Sequence, residues 1–379
     1  MSSLVWVELD RAAPEHNLRQ IRAGAAPGVV ACAVIKSNAY GHGAAEMSSL
    51  LPSAEWFGVN SLEEGLQLRQ LGVSRPILLL GHVPLAELPA AVEADLQLTV
   101  YNRETIDALA SLSLARPARV HVKVDTGTSR QGVLPDQLEE FLRRVAGSRG
   151  VLLQGISTHY ANIEDTLNHD YAALQIRRFD EALQTVDRTV GRPPFVHTAC
   201  TAAALLFSTT HYTMLRSGIG LYGLWPSRET LLASREKRGP VPAFRPVLSW
   251  KTRIVQVKSI PEGTYVGYGC SYRTTRQTTL GVLPVGYADG YDRAMGNRGH
   301  VLVRGRRAPI LGRICMNLCM VDLTDVPAVK LEEEVVLLGS SGDERISAEM
   351  MAEWTGTINY EVVTRISPLL PRKVVAPAA

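Results

Sequence analysis

Val29-Val30-Ala31-Cys32-Ala33-Val34-Ile35-Lys36-Ser37-Asn38-Ala39-Tyr40-Gly41-His42-Gly43 joins an unbroken apolar run to a polar loop with two glycines. An apolar run of this length predicts a strand covered on both faces, the pattern of a parallel sheet. A lysine at the end of such a strand sits where an apolar wall meets a loop. There the ammonium is partly desolvated, its pKa falls, and the amine can attack a carbonyl to form a Schiff base. A lone strand-end lysine more often snorkels to water. Asn38, Tyr40, His42 and the glycines argue for more than that, because a plain strand exit has no use for so many hydrogen-bonding groups in a tight loop.

Outward from this stretch, apolar runs recur at 56–59, 77–80, 96–101, 120–124, 152–159, 195–199 and 213–216. Helical patterns separate most of them. Ser61-Leu62-Glu63-Glu64 is a capping box opening a helix to Leu71, and 136–145 and 170–190 are amphipathic. With the Lys36 strand this makes eight strands by about residue 220, the count of a (β/α)8 TIM-type barrel. A doubly wound sheet is the alternative, but no G-x-G-x-x-G opens a first helix. Before the barrel, 5–9 reads as a short strand, and Asp10 as the N-cap of a helix over 11–22. Residues 238–246, rich in proline, glycine and basic side chains, read as a connector. Beyond them come β-rich runs at 248–260, 278–285, 301–304, 308–310, 314–321 and 334–338, with 347–354 the one helical pattern. The expected division is a barrel over 11–240 and a β-rich C-terminal domain over 241–379, joined by the strand in 1–10.

The 379 residues are 46% hydrophobic and 20% charged, with a net charge of +3, as in a soluble globular protein. No basic block or RNA-type aromatic motif is present, so nucleic acid is not an expected partner. Cys32, Cys200, Cys270, Cys315 and Cys319 are scattered and lack zinc spacing, which fits reduced thiols in the cytoplasm and no metal. Neither a signal-peptide pattern nor an apolar run of about eighteen residues occurs, so no membrane span is expected.

Chemistry in such barrels gathers at the C-terminal strand ends. Lys36 ends the first strand, Arg130 follows the fifth and His159 ends the sixth. Thr201 follows the seventh, and Arg216-Ser217-Gly218-Ile219 ends the eighth. The last two loops often bind phosphate. Thr201 offers a hydroxyl there, and Gly218 and Ile219 offer backbone N–H groups.

The Lys36 decapeptide resembles the signature of alanine racemases. The likeness runs in order along the chain, from Trp6-Val7-Glu8-Leu9-Asp10 to Ile358-Asn359-Tyr360-Glu361. It implies a fold-type III enzyme using pyridoxal 5′-phosphate (PLP), with Lys36 as the PLP lysine and one catalytic base. Gly267-Tyr268-Gly269 matches the second base, Tyr268. The resemblance further implies cofactor contacts from Tyr40, Arg130, His159, Thr201, Arg216, Gly218, Ile219 and Tyr360. Arg216 would face the pyridine nitrogen and hydrogen-bond with His159, and Lys123 matches a lysine often carbamylated. Arg130 and Met316 would bind the substrate carboxylate. Gly286-Tyr287-Ala288-Asp289-Gly290-Tyr291 and Gly312-Arg313-Ile314-Cys315-Met316 match the family's substrate-entry and carboxylate-binding segments, and the resemblance assigns Tyr287, Arg293 and Arg313 to substrate entry. A homodimer with shared active sites is implied, as is supply of D-alanine for peptidoglycan. Asn317, where relatives commonly have aspartate, and Thr128-Ser129, where Met-Gly is usual, depart from the pattern. They keep a serine, lysine or broad-range racemase in view. A non-catalytic PLP-homeostasis barrel would share the lysine but lack the domain bearing Tyr268.

Overall fold

β1 (Val5–Asp10) opens the computed structural model, which describes residues 3–237 and 240–376, and the apolar run before Lys36 is β2 (Val30–Val34). Then come β3 (Trp56–Val59), β4 (Ile77–Leu79), β5 (Leu96–Val100), β6 (Ala118–Lys123), β7 (Val151–Ser157), β8 (Phe195–His197) and β9 (Met214–Ser217). They form one parallel eight-stranded sheet in the order β8-β7-β6-β5-β4-β3-β2-β9. β2 pairs with β3 on one side and β9 on the other, curling the sheet into a nearly closed barrel. At the seam between β8 and β9 the ladder is replaced by separate bonds, Thr213 N–H to Val196 O at 3.1 Å and Arg216 N–H to Ala199 O at 2.9 Å. The core side chains Leu78, Leu79, Val120, Val122 and Ile156 are fully buried, as a filled barrel requires.

The expected (β/α)8 barrel and β-rich C-terminal region are both present. The helix after Ser61 runs Leu62–Gln70, with the Ser61–Glu64 capping box formed. The other amphipathic helices are Leu138–Gly147 and Asp170–Thr189. Asp10 accepts from the N–H groups of Ala12 and Ala13 at 2.8 and 3.0 Å, so the first helix begins at Ala13 rather than residue 11. Residues 238 and 239 of the expected connector lie outside the described residues. Among the described residues no helix is long and apolar enough to cross a membrane.

The chain resolves into two compact units. One is the barrel unit, Pro14–Ser37 and Met47–Arg245; the other takes the N-terminal stretch through Ala13, Asn38–Glu46 and the chain from Pro246 onward. The second unit holds β10 (Leu248–Arg253), β11 (Gln256–Ile260), β12 (Tyr265–Val266), β13 (Tyr272–Arg273), β14 (Thr278–Leu283), β15 (His300–Val303), β16 (Arg306–Leu311), β17 (Cys319–Asp322), β18 (Glu334–Ser341), β19 (Glu344–Ile346) and β20 (Arg372–Val375). Its main sheet runs β11-β14-β17-β16-β15-β18-β10-β1-β20, with β1 antiparallel to β10 and parallel to β20. β12 and β13 form a small hairpin of their own. Three expectations change here. The run 314–321 is strand only from Cys319, as β17, with 314–318 a turn in which Cys315 N–H donates to Leu318 O at 2.9 Å. The run 248–260 is two strands, because Ile254 and Val255 leave the β10 ladder and the chain re-pairs with β14. A second helix, Asn359–Thr364, follows the first, Ala348–Thr355, after a left-handed cap at Gly356. Its six residues carry two adjacent valines, too short and too β-branched for a helical period to be visible.

Candidate active site

Lys36 leaves β2 directly after Ile35, whose N–H is tied to Gly58 O at 2.8 Å. Burial lowers the Lys36 pKa and the charge of Arg130 lowers it further, with Glu64 opposing. The next four residues, Ser37, Asn38, Ala39 and Tyr40, have φ of 54°, 52°, 53° and 53°, a left-handed turn built without glycine. Such a conformation costs about 1–2 kcal/mol per residue, so it persists only where its surroundings hold it. Glu64 Oε1 accepts the Ser37 N–H at 2.5 Å. Asn38 O accepts from Gly43 N–H and Asn38 Oδ1 from Ala44 N–H, both at 2.9 Å. Gly41, at φ 82°, has no alternative: a Cβ there would lie 1.9 Å from the Val363 carbonyl oxygen. The Tyr40 ring sits 6.2 Å from that of Tyr360 on the Asn359–Thr364 helix. His42 is buried and held neutral, its pKa lowered to about 4 mainly by desolvation.

Elsewhere at the barrel's strand ends, Lys123 closes β6 and donates to Gln131 Oε1 at 3.2 Å. Burial, then Arg216 and Arg130, bring its pKa down to about 8 against the pull of Asp125. Arg130 is exposed beyond a turn in which Asp125 Oδ1 accepts from the N–H groups of Gly127, Thr128 and Ser129 at 2.9, 3.0 and 3.1 Å. His159 follows β7, and burial together with Arg216, Lys123, Arg130 and Lys36 lowers its imidazole to about 3. Thr201 Oγ1 accepts from Gly218 N–H at 3.3 Å and Gly220 N–H at 3.4 Å and lies 2.9 Å from Ser217 Oγ. Ile219 is buried beside them.

Arg216, on β9, is only 8% exposed. One terminal nitrogen donates to His197 Nδ1 at 2.5 Å and His197 O at 2.6 Å; the other donates to Thr158 O at 2.9 Å and Thr198 O at 3.3 Å. Its imidazole partner is therefore His197, not the expected His159. The reason is positional, since His197 ends β8, directly across the open seam. Behind His197 lie His121 on β6 and Gln97 on β5, neither anticipated from the sequence. The usable signal for His121 was strand alternation, which puts it on the same face as Lys123 two residues later.

The β-rich unit presents its candidates differently. Tyr268 begins a single turn, Tyr268–Cys270, at the tip of the β12–β13 hairpin, flanked by Gly267 and Gly269 at φ 74° and 73°. It is 74% exposed. A Cβ on Gly269 would meet the Arg313 guanidinium at 2.6 Å, so that arginine lies against the turn. Tyr287 and Met316, both exposed, are brought together by Tyr287 N–H to Cys315 O at 3.1 Å and Ala288 N–H to Met316 O at 3.0 Å. Arg293 is exposed in the turn Arg293–Met295 and Asn317 beside Met316.

A parallel barrel with titratable groups gathered at its C-terminal strand ends is the layout of a barrel enzyme. Residues 9–226 match the family of the alanine racemase N-terminal domain and residues 247–374 that of the alanine racemase C-terminal domain. The chain is 40% identical over 373 residues to an alanine racemase of Desulfovibrio desulfuricans, covering 97% of each, and 38% identical to one of Leptospira interrogans, covering 98% of this chain and 95% of that one. A crystal structure of alanine racemase from Bacillus anthracis with bound L-Ala-P superposes with a TM-score of 0.92 at 34% identity, covering 99% of this chain and 96% of that one. The Streptomyces coelicolor alanine racemase gives 0.90 at 33%, with 98% of each covered. The chain belongs to the alanine racemase family of enzymes.

Proposed function

We propose that this enzyme interconverts L- and D-alanine with PLP, using Lys36 and Tyr268 as bases on opposite faces of the substrate. The observation that carries this is Lys36 itself, a desolvated amine fixed between a buried strand and a strained turn. The residues present fit the cofactor. Gly218 and Gly220 aim their N–H groups at one point, now the Thr201 hydroxyl, as a phosphate oxygen would require. Arg216 is a buried donor suited to a ring nitrogen, and unlike a carboxylic acid it does not give up its proton.

When bound, PLP supplies the electron sink that makes an amino acid's α-proton removable. The chain's own residues do the rest. Lys36 Nζ would hold the cofactor covalently and move the proton on one face, and the Tyr268 phenol would move it on the other. A single base would return the proton where it found it. Tyr40, His159, Ile219 and Tyr360 would complete the cofactor pocket with Thr201, Gly218 and Arg216. Arg130 and Met316 would take the substrate carboxylate, and Tyr287, Arg293 and Arg313 would line its way in. A Lys123 amine brought to about 8 has enough neutral form near pH 7 to react with carbon dioxide, and the resulting carbamate would steady Arg130.

We infer a homodimer in which each barrel mouth is completed by the partner's Tyr268. The exposure of Tyr265, Tyr268, Tyr287, Met316 and Leu318 on one unit supports a covered face. The reading places the enzyme in the cytoplasm, supplying D-alanine for peptidoglycan. Borohydride reduction followed by peptide mapping tests the first step. A pyridoxyl group on Lys36 is expected; label on another lysine overturns the assignment.

A further inference from the structure

Beneath the mouth, a row of polar side chains crosses the apolar interior of the barrel. His197 Nε2 is 2.8 Å from His121 Nδ1, and His121 Nε2 is 2.8 Å from Gln97 Oε1. His197, His121 and Gln97 are 1%, 0% and 3% exposed, so each bond has been built where an unpaired polar group would be costly. Trp56 and Phe195 flank the His121 ring, at 5.8 and 6.2 Å between centroids.

The row has only one possible direction. An arginine can donate but cannot accept, so His197 Nδ1, 2.5 Å from Arg216, must carry a lone pair. The His197 proton is then on Nε2 and is donated to His121 Nδ1. His121 in turn carries its proton on Nε2 and donates it to the Gln97 carbonyl oxygen. Reversing any link would aim an imidazole N–H at the guanidinium. Both rings are therefore neutral and each is fixed in one tautomer. Burial and the charge of Arg216 push in the same direction, with Lys123 a further cation facing His197.

The path from β6 to β8 must pass over β7, and the backbone is adapted to let it through. The β6–β7 register slips between Val120 and His121, which sets Gly155 opposite His121. A Cβ at Gly155 would lie 2.2 Å from His121 Nδ1 and 2.7 Å from Cε1. The hydrogen bond exists because position 155 has no side chain.

We propose that Gln97, His121 and Gly155 are positioning residues: they complete a one-way chain of hydrogen bonds that fixes His197 as an acceptor and so holds the Arg216 guanidinium rigid at the mouth. Its bearing on the reaction rests on Arg216 facing the cofactor ring; the direction of the chain does not. Holoenzyme labelled with ¹⁵N-histidine tests the direction. His121 and His197 should both give neutral Nε2–H tautomers from pH 6 to 9. An Nδ1–H tautomer or an imidazolium at either ring overturns the proposal. Gln97→Met, similar in length but unable to accept, tests the consequence. We expect kcat per borohydride-trapped pyridoxyl site to fall about tenfold with KM within about twofold, because a buried donor loses its partner while the substrate contacts remain. A merely structural role would lower the number of loaded sites and leave kcat per site unchanged, and that result overturns the proposal. Should Lys36 fail to trap the cofactor while the tautomers appear as expected, the cofactor reading fails and the chain's direction stands.

Discussion

The barrel's strand ends and the β12–β13 hairpin carry the two proposed bases in opposite ways. Around Lys36, burial is the first cause of the lowered pKa values of Lys36, Lys123, His159 and Arg216, and Arg216 is tied to three backbone carbonyls. Arg216 alone makes four hydrogen bonds and leaves 8% of its surface exposed. Tyr268 stands 74% exposed on a two-glycine turn. The barrel's candidates are packed by their own chain, whereas in the proposed homodimer the partner would supply the surroundings of Tyr268. A base that works only when covered can be left exposed on its own chain, and that is the physical sense of sharing a site between subunits.

If this contrast is right, substitutions in the two regions should fail differently. The largest effect is expected at the hairpin. Tyr268→Phe should reduce racemisation by about 10²–10⁴-fold, the usual worth of a positioned acid–base group. Thermal stability should stay unchanged, because among the described residues the hydroxyl makes no hydrogen bond within its own chain. A variant that keeps most of its activity removes Tyr268 from the mechanism. One that loses activity through unfolding shows the hairpin to be structural.

A smaller effect, confined to folding, is expected from four imidazoles whose pKa is lowered mainly by desolvation, three of which lie in the barrel unit. His42, His121, His159 and His197 all have folded-state pKa values below the unfolded value, to about 4, 3 and 3 for the first three. The unfolded chain therefore binds protons first as pH falls through about 6.5. Their contribution to stability is complete above that pH. It is lost on acidification at up to about 1.4 kcal/mol per pH unit for each histidine. The window from about pH 6.5 down to 5 lies above most carboxylate titrations, which isolates the effect. Urea midpoints should fall steadily across it and fall equally in Tyr268→Phe. A flat profile would mean these rings are solvated or already charged.

What the sequence disclosed follows the same divide between local pattern and distant neighbour. Eight apolar runs separated by helical periods place every barrel strand, and the run 56–59 coincides with β3. Those runs also put Lys36, His159 and Arg216 at strand ends, because a strand's length is written in its own residues. The left-handed turn at 37–40 was not legible, since none of its residues is glycine and the contacts that hold it come from Glu64 and from the loop's own later residues. Nor was the partner of Arg216: His159 lies just past the end of β7 and His197 is the last residue of β8, and only the position of the seam decides between them. The row through His121 and Gln97 depends on an absent side chain at Gly155, a fact about three strands at once.

The shared site is tested most directly by pairing two inactive chains. Lys36→Ala and Tyr268→Ala should each be nearly inactive as homodimers. In a heterodimer of the two, one site lacks both bases and the other has both intact. Purified through separate tags, it should recover roughly half of the wild-type activity per dimer, as expected for independent sites. A verified heterodimer with no recovery would mean that both bases come from one chain, and the exposed hairpin would need another explanation.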